Sequence, residues 1–316
     1  MTYDIIDSLT WEVHGMKLEL KNINKFFDDF HVLQDIDFTI NSGEIFGYLG
    51  RNGAGKTTSI RILMDVFDQS SGEILVDGKK FDRKDYKIGY LPEERGMYSK
   101  VTVKDQLIYF AMLRGATKAE AIKSMEYWTK RFEISEYLNR KVETLSKGNQ
   151  QKVQIAQAFI NEPDILILDE PFSGLDPVNS KVFQDALIDY INDERIIIFS
   201  SHQMTYVESF CDSIAIIDKG RIVLEGSLSK IKHEMGNDAY RVAFEGLNPE
   251  ESLELVGVEG RFDDKSAIVN LPENMESQGF VADLLKLSSP LALFSRYEPS
   301  LQDIFIEKVG GNHETV

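Results

Sequence analysis

One cysteine in 316 residues, Cys211, leaves the chain without an internal disulfide. It sits beside the apolar run Ile214-Ala215-Ile216-Ile217, where a small buried side chain is its expected role. No apolar stretch reaches the roughly 20 residues needed to cross a bilayer, and no apolar signal segment is read near the N-terminus. Basic charge is also scarce: 35 Lys and Arg against 52 Asp and Glu give a net charge of −17. The deficit is shared along the chain. The last 80 residues hold 15 acids and 6 bases, or −9, which leaves −8 for the first 236. Neither part is expected to coat duplex nucleic acid. What remains reads as a cytosolic, acidic chain with 42% hydrophobic residues, long enough for two domains.

Five segments carry chemistry, in a fixed order. The first, Gly50-Arg51-Asn52-Gly53-Ala54-Gly55-Lys56-Thr57, fits G-x-x-x-x-G-K-[ST]. It follows the apolar run Ile45-Phe46-Gly47-Tyr48-Leu49, a short buried strand, and precedes a helical stripe from Thr58 to Met64. Gly50, Gly53 and Gly55 let the backbone curl so that successive N–H groups face phosphate oxygens. The helix N-terminus adds partial positive charge. Lys56 is expected at the β- and γ-phosphates of ATP and the Thr57 hydroxyl at Mg²⁺; Asn52, Ala54 and Thr58 complete the nucleotide-binding segment. A second apolar run, Ile165-Leu166-Ile167-Leu168, ends in Asp169-Glu170. An aspartate there can hold Mg²⁺ through water, and the adjacent glutamate can polarise the attacking water. The remaining three are Leu91-Pro92-Glu93-Glu94, Leu145-Ser146-Lys147-Gly148-Asn149-Gln150 and Ser200-Ser201-His202.

Together these segments resemble the nucleotide-binding subunit of an ABC transporter, and within that superfamily the sodium- or drug-extrusion type of the ABC-2 exporter class. The likeness covers roughly Met16 to Lys230 and extends, more weakly, to about Gly310. It implies an α/β fold of P-loop NTPase type, with a parallel core sheet, an antiparallel β flank and a helical subdomain, followed by a small C-terminal α+β domain. It also implies an ATPase, with ATP and Mg²⁺ as cofactors, that powers a separate membrane permease by ATP-driven dimer closure. The implied partners are that permease and a second copy of the chain or a related ATP-binding subunit, with no nucleic acid. The implied location is cytoplasmic, peripheral on the inner face of the cell membrane.

The resemblance assigns roles to the other segments. Ser146 and Gly148 belong to the signature that binds the γ-phosphate held by the opposite subunit. Lys147 and Asn149 depart from the usual Leu-Ser-Gly-Gly-Gln. Glu93 stands where glutamine is usual, in the loop that contacts Mg²⁺ and water and senses the membrane partner; Glu94 is the rival acid at that turn. Ser173-Gly174-Leu175-Asp176 resembles the loop that crosses the dimer interface, which places Asp176 near nucleotide. His202 resembles the switch histidine that holds Glu170 and the water. Lys25-Phe26-Phe27-Asp28-Asp29-Phe30 offers three phenylalanines for stacking on adenine, of which Phe27 aligns best.

A soluble ATP-dependent switch acting on nucleic acid or the ribosome is the competing class. The acidic charge opposes it. So does the single phosphate loop, and so does the spacing of 113 positions from Lys56 to Asp169, too short for a long coiled-coil insert.

The expected boundaries are an extension over 1–15, an ATP-binding domain over 16–235 and an accessory domain over 236–316. Residues 1–15 are expected to be poorly ordered or a product of start choice, since Met16 is itself a plausible start. Asp37 to Ile40 and Ile74 to Val76 read as strands of the antiparallel flank. Lys104 to Val142 is expected to be helix-rich, with apolar spacing at Leu107, Ile108, Phe110, Ala111 and Leu113. With the loop from Glu93 to Val101, the resemblance makes this the groove for a helix of the permease. The accessory domain is expected to hold strands at Tyr240–Phe244, Ser266–Leu271 and Leu291–Phe294. Helices are expected over Phe280–Leu287 and after a Ser300 cap, in a split βαβ arrangement. That domain offers no glycine-rich loop, histidine cluster or paired acids on an apolar strand, so it is expected to be regulatory or an interaction surface.

Overall fold

A computed structural model describes residues 15–94, 96–236, 239–271 and 275–310. The extension expected over 1–15 lies outside the described residues except for Gly15. The first part of the chain runs β1 (Lys17–Phe27), β2 (Phe30–Asn41), β3 (Ile45–Leu49), α1 (Lys56–Leu63), β4 (Ser71–Val76), β5 (Lys79–Lys80) and β6 (Ile88–Leu91). It continues through α2 (Val103–Leu113), α3 (Lys118–Arg131), α4 (Lys147–Phe159), β7 (Ile165–Asp169) and α5 (Pro177–Tyr190). Then come β8 (Ile196–Ser201), α6 (Met204–Phe210), β9 (Ser213–Asp218) and β10 (Arg221–Ser227).

Two sheets form in this part, and their burial patterns explain why. β3, β7 and β8 are buried at every residue. Continuous apolar runs of this kind suit a parallel sheet covered on both faces. They lie side by side in the six-stranded order β10-β9-β3-β8-β7-β6. The pairs β3–β8, β3–β9, β7–β8 and β6–β7 are all parallel. The second sheet, β2-β1-β4-β5, is antiparallel. β1 alternates there, with Leu18 and Leu20 buried and Lys17 exposed, so one face meets the core and the other meets water. One apolar cluster joins the sheets, from Leu18, Ile36 and Phe38 to Phe46, Ile167, Ile198 and Ile217.

Parallel pairing places the segments of interest at one edge. Leu49 lies opposite Ser201, and Asp169 opposite Ser200. Leu91 of β6 lies opposite Leu168. The phosphate-loop segment, Asp169-Glu170, Ser200-Ser201-His202 and Glu93 therefore leave the carboxyl ends of four neighbouring strands, where open parallel sheets bind ligands. In the helix-rich stretch, α2 buries Leu107 and Ala111 completely but leaves Leu113 exposed. Thr117 and Glu120 form a capping box at the start of α3.

The chain divides into two compact units between Glu225 and Gly226, ahead of the division expected at 235/236. α7 (Leu228–Met235) therefore belongs to the second unit. There follow β11 (Ala239–Phe244), α8 (Pro249–Val256), β12 (Gly260–Phe262), β13 (Ala267–Asn270), α9 (Ser277–Leu284), β14 (Leu291–Arg296) and α10 (Leu301–Gly310). The sheet order is β12-β13-β11-β14 with antiparallel neighbours. From β11 to β14 this βαββαβ succession is a split βαβ arrangement. Val242, Phe244, Ala267, Val269, Phe280 and Leu284 form its core. Ser300 caps α10, accepting from the Asp303 N–H at 3.1 Å. Among the described residues no helix is long and apolar enough to cross a membrane.

Candidate nucleotide site

The turn between β3 and α1 is built for an anion. Gly53 and Gly55 hold φ of 79° and 119°, a region closed to most side chains. Gly55 is the N-cap of α1; it supplies no side-chain cap, and the first turn contains no acid. The first amides of a helix have no acceptor within it. Left uncapped, they present N–H groups and a positive dipole end to a phosphate. Lys56 begins the helix and is 7% exposed. Its Nζ donates to the Gly50 carbonyl at 2.5 Å and the Arg51 carbonyl at 3.3 Å. Burial holds its ammonium group below its ordinary pKa, against the opposing pull of Glu170, Asp169 and Glu93.

Asp169 ends β7 at 2% exposure. Burial, with Glu93 and Glu170 acting in the same direction, pushes its carboxyl up to about 6. Among the described residues its buried Oδ2 has no hydrogen-bond partner. Glu170 follows in the left-handed region at φ 51°, a conformation that costs a non-glycine residue energy and clusters at functional sites. Its backbone N–H donates to the Ser200 carbonyl at 2.9 Å. Its side chain accepts from the His202 N–H at 2.8 Å and the Ser201 hydroxyl at 3.1 Å, and lies 2.7 Å from His202 Nδ1. Ser201 and His202 at the end of β8 thus hold the Glu170 carboxylate through three contacts, and Ser200 holds its backbone. The His202 ring stays about half exposed.

One cleft is lined by Asn52, Gly53, Gly55, Lys56, Thr57, Thr58, Glu93, Asp169 and Glu170, together with Val32 and Arg51. Gly50 acts just behind it through its carbonyl on Lys56. Ala54 is buried, and its carbonyl accepts from Gly220. Seven expected residues are not in the lining: Gly50, Ala54 and His202, and also Phe27, Ser146, Gly148 and Asp176. Phe27 closes β1, edge-on to Phe67 at 5.3 Å and under the Lys25 ammonium at 5.0 Å. Ser146 caps α4, accepting from the Asn149 N–H at 3.3 Å. Gly148 lies in the first turn of that helix. Asp176 caps α5 through Asn179, and those bonds hold its carboxyl below the usual range.

Among the described residues no three His, Cys, Asp or Glu side chains are arranged to hold a metal by themselves. The orphan Oδ2 of Asp169, Glu93 and the Thr57 hydroxyl nevertheless form an oxygen donor set beside the phosphate turn. Such a set suits Mg²⁺ that arrives with substrate phosphates supplying the remaining oxygens.

Sequence reasoning missed Val32, Arg51 and Ser201. The Ser-Ser-His string was visible, but the serine's bond to Glu170 depends on β8 lying beside β7, which no local pattern states.

The family model described as ABC transporter matches residues 33–173. A second, described as the C-terminal domain of DrrA1-3-like ATP-binding proteins, matches 226–309. The ABC transporter ATP-binding protein YhaQ of Bacillus subtilis, itself uncharacterized, is 41% identical over 302 residues, 94% of this chain and 100% of that one. The chain belongs to the ABC transporter ATP-binding proteins. The linearmycin resistance ATP-binding protein LnrL of Bacillus subtilis is 31% identical over 236 residues, 73% of this chain and 76% of its own. A solved ATP-binding subunit of an ABC transporter superposes with a TM-score of 0.64 at 30% identity, over 69% of this chain and 93% of that one. As a member of this family the chain is an ATP-binding ATPase subunit. Its fold is the α/β ABC cassette read from the sequence.

Proposed function

We propose that this ATPase powers a separate membrane permease in the export direction, and that it works as a head-to-tail pair with a second copy or a related subunit. One observation carries the pairing: Ser146 and Gly148 stand at the exposed, serine-capped N-terminus of α4, outside the cleft that Lys56, Thr57, Glu93, Asp169 and Glu170 line. The first turn of α4 contains no acid, so it too suits a phosphate, one held by another chain. Gly174, in the loop before α5, lies against Gly148: a methyl group on Gly148 would sit 3.6 Å from its carbonyl. That proximity supports assigning the Ser173–Asp176 loop to the same contact face. Phe27 would stack on adenine from the end of β1.

Within each site Lys56 and the amides of the phosphate turn orient the β- and γ-phosphates. Thr57, Asp169 and Glu93 would hold Mg²⁺, which supplies charge neutralisation at the phosphates. Glu170, fixed by Ser201 and His202, accepts the proton of the attacking water. His202 keeps the carboxylate in place.

Export is supported by the likeness to LnrL, a linearmycin resistance ATP-binding protein. The permease groove is supported by Tyr98, Tyr109 and Leu113, which are exposed around Phe110 beside the Glu93 loop. In this reading the chain works on the cytoplasmic face of the membrane, held there by its permease. The test is Glu170→Gln with Mg-ATP in gel filtration. The expected result is loss of turnover, by about 10³-fold or more, with elution at doubled mass. An ATP-bound monomer would contradict the pairing.

A further inference from the structure

Helix α4 is buried from Gln151 to Phe159, yet three of those positions are glutamines. Gln151, Gln154 and Gln157 recur every three residues along one face and reach three different segments. Gln151 Nε2 donates to the Pro171 carbonyl at 3.1 Å, just past Glu170. Gln157 Oε1 accepts from Gln106 at 2.8 Å, and Gln106 in turn accepts from the Tyr98 N–H at 2.9 Å. Gln154 Nε2 donates to the carbonyls of Pro92 and Glu94, both at 3.3 Å, which bracket Glu93. Carbonyl oxygens only accept, so the amide nitrogen must face the turn. Gln154 is 2% exposed, and its buried Oε1 has no partner among the described residues. An orphaned acceptor is a stability cost that an apolar side chain would avoid. What the amide provides in return is a hold on both sides of Glu93.

We propose that Gln154 is a positioning residue. By holding the turn around Glu93 from the helix that begins at Ser146, it makes the placement of Glu93 in one ATP site and of Ser146 and Gly148 at the opposite ATP a single motion. The proposal deepens the paired reading above and rests on it. A shift of the Glu93 turn, whether driven by ATP or by a permease helix near Tyr98, carries the signature end of α4 with it. Occupancy of one site is thereby reported to the other.

Gln154→Leu deletes both bonds at near-constant volume. We expect ATP affinity of the isolated chain to change by less than about threefold while kcat falls about tenfold or more, a loss of transition-state placement without loss of binding. In the Glu93→Ala background the same substitution should change kcat by less than about twofold, because the two residues act as one unit. Amide exchange in peptides spanning Ile88 to Tyr98 should rise about tenfold without nucleotide, with β7 unchanged as the internal reference. A purely structural role would raise exchange in β7 as well and give additive effects in the double variant. Additivity, or unchanged exchange around Glu93, overturns the inference. Gln154→Met, flexible and of similar volume, repeats the test should the leucine variant fail to fold. A wild-type chain that binds ATP but never hydrolyses it would overturn the functional reading instead, and the exchange measurement judges Gln154 independently of hydrolysis.

Discussion

Gly148 has no reason within its own chain to be glycine. It lies in an α-helix without a positive φ, and an added methyl would meet only the Gly174 carbonyl, at an ordinary 3.6 Å. Gly148→Ala should therefore leave stability unchanged or raise it by about 0.5–1 kcal/mol, the usual gain for alanine over glycine in a helix. ATPase activity should nevertheless fall by about tenfold or more if a second chain's phosphate packs on that amide. Thermal melts and turnover on the same preparation separate the two effects; a proportionate loss of both would make the glycine structural. Asp169 gives the pH dependence. Its carboxyl stands at about 6 in the folded protein, well above the ordinary aspartate value, so between the two values the folded state holds a proton that the unfolded chain has lost. Without nucleotide, stability should fall by on the order of 2 kcal/mol as pH rises through 6. Asp169→Asn should abolish that fall. Mg-ATP affinity should run the other way, weakening below pH 6 as protons compete for the carboxylate. Melting temperature and Mg-ATP affinity against pH, for wild type and Asp169→Asn, check both signs; a flat wild-type profile would remove Asp169 from the donor set. At this scale the sequence carried the residue types well. It could not show that the Ser201 hydroxyl holds the Glu170 carboxylate, or that the Gln154 amide bonds the backbone on either side of Glu93, because these bonds arise from strand adjacency and helix packing rather than local spacing.

The buried parallel strands were the most legible elements. β3, β7 and β8 are runs of five or six wholly buried residues ending in polar motifs, and continuous apolarity is what two-sided burial demands. The second unit was harder. α8 carries its own start signal, an Asn248 cap with Pro249 and a Glu251 capping box, but it is short and buries only Ser252 fully, so its apolar period is faint. β12 is three exposed residues with no alternation to read. α9 begins at Ser277 rather than at Phe280, because its first turn contributes nothing to the core. The surface of α2 carries its own prediction. Leu113 is 65% exposed while Leu107 and Ala111 on the same helix are wholly buried. Leu113→Lys should change stability by less than about 0.5 kcal/mol, as for other surface positions. Co-purification of the chain with membranes should drop severalfold if the exposed aromatic and aliphatic side chains beside Glu93 receive a permease helix. Unchanged membrane association would place the permease contact elsewhere.

For the whole molecule, two features matter: a sheet edge whose cleft gathers Lys56, Thr57, Glu93, Asp169 and Glu170, and a helix α4 whose exposed N-terminus lies outside that cleft. Lys56, Asp169, Glu170 and His202 converge because the parallel strands β3, β8 and β7 end side by side; the resemblance implied a parallel core sheet but not this strand order. The pairing of copies was readable only as that family's habit; the position of Ser146 and Gly148 outside the cleft gives it a physical basis in this chain. Mixing two inactive variants tests it most directly. Lys56→Ala removes the phosphate-turn half of each site. Gly148→Asp removes the signature half while keeping the first turn of α4 favourable, since an acid suits a helix N-terminus. In a head-to-tail pair, each mixed dimer contains one site with Lys56 from one copy and Gly148 from the other. An equal mixture should then recover up to about a quarter of wild-type ATPase activity from two preparations that are each inactive. Activity no higher in the mixture than in either variant alone would contradict the shared site.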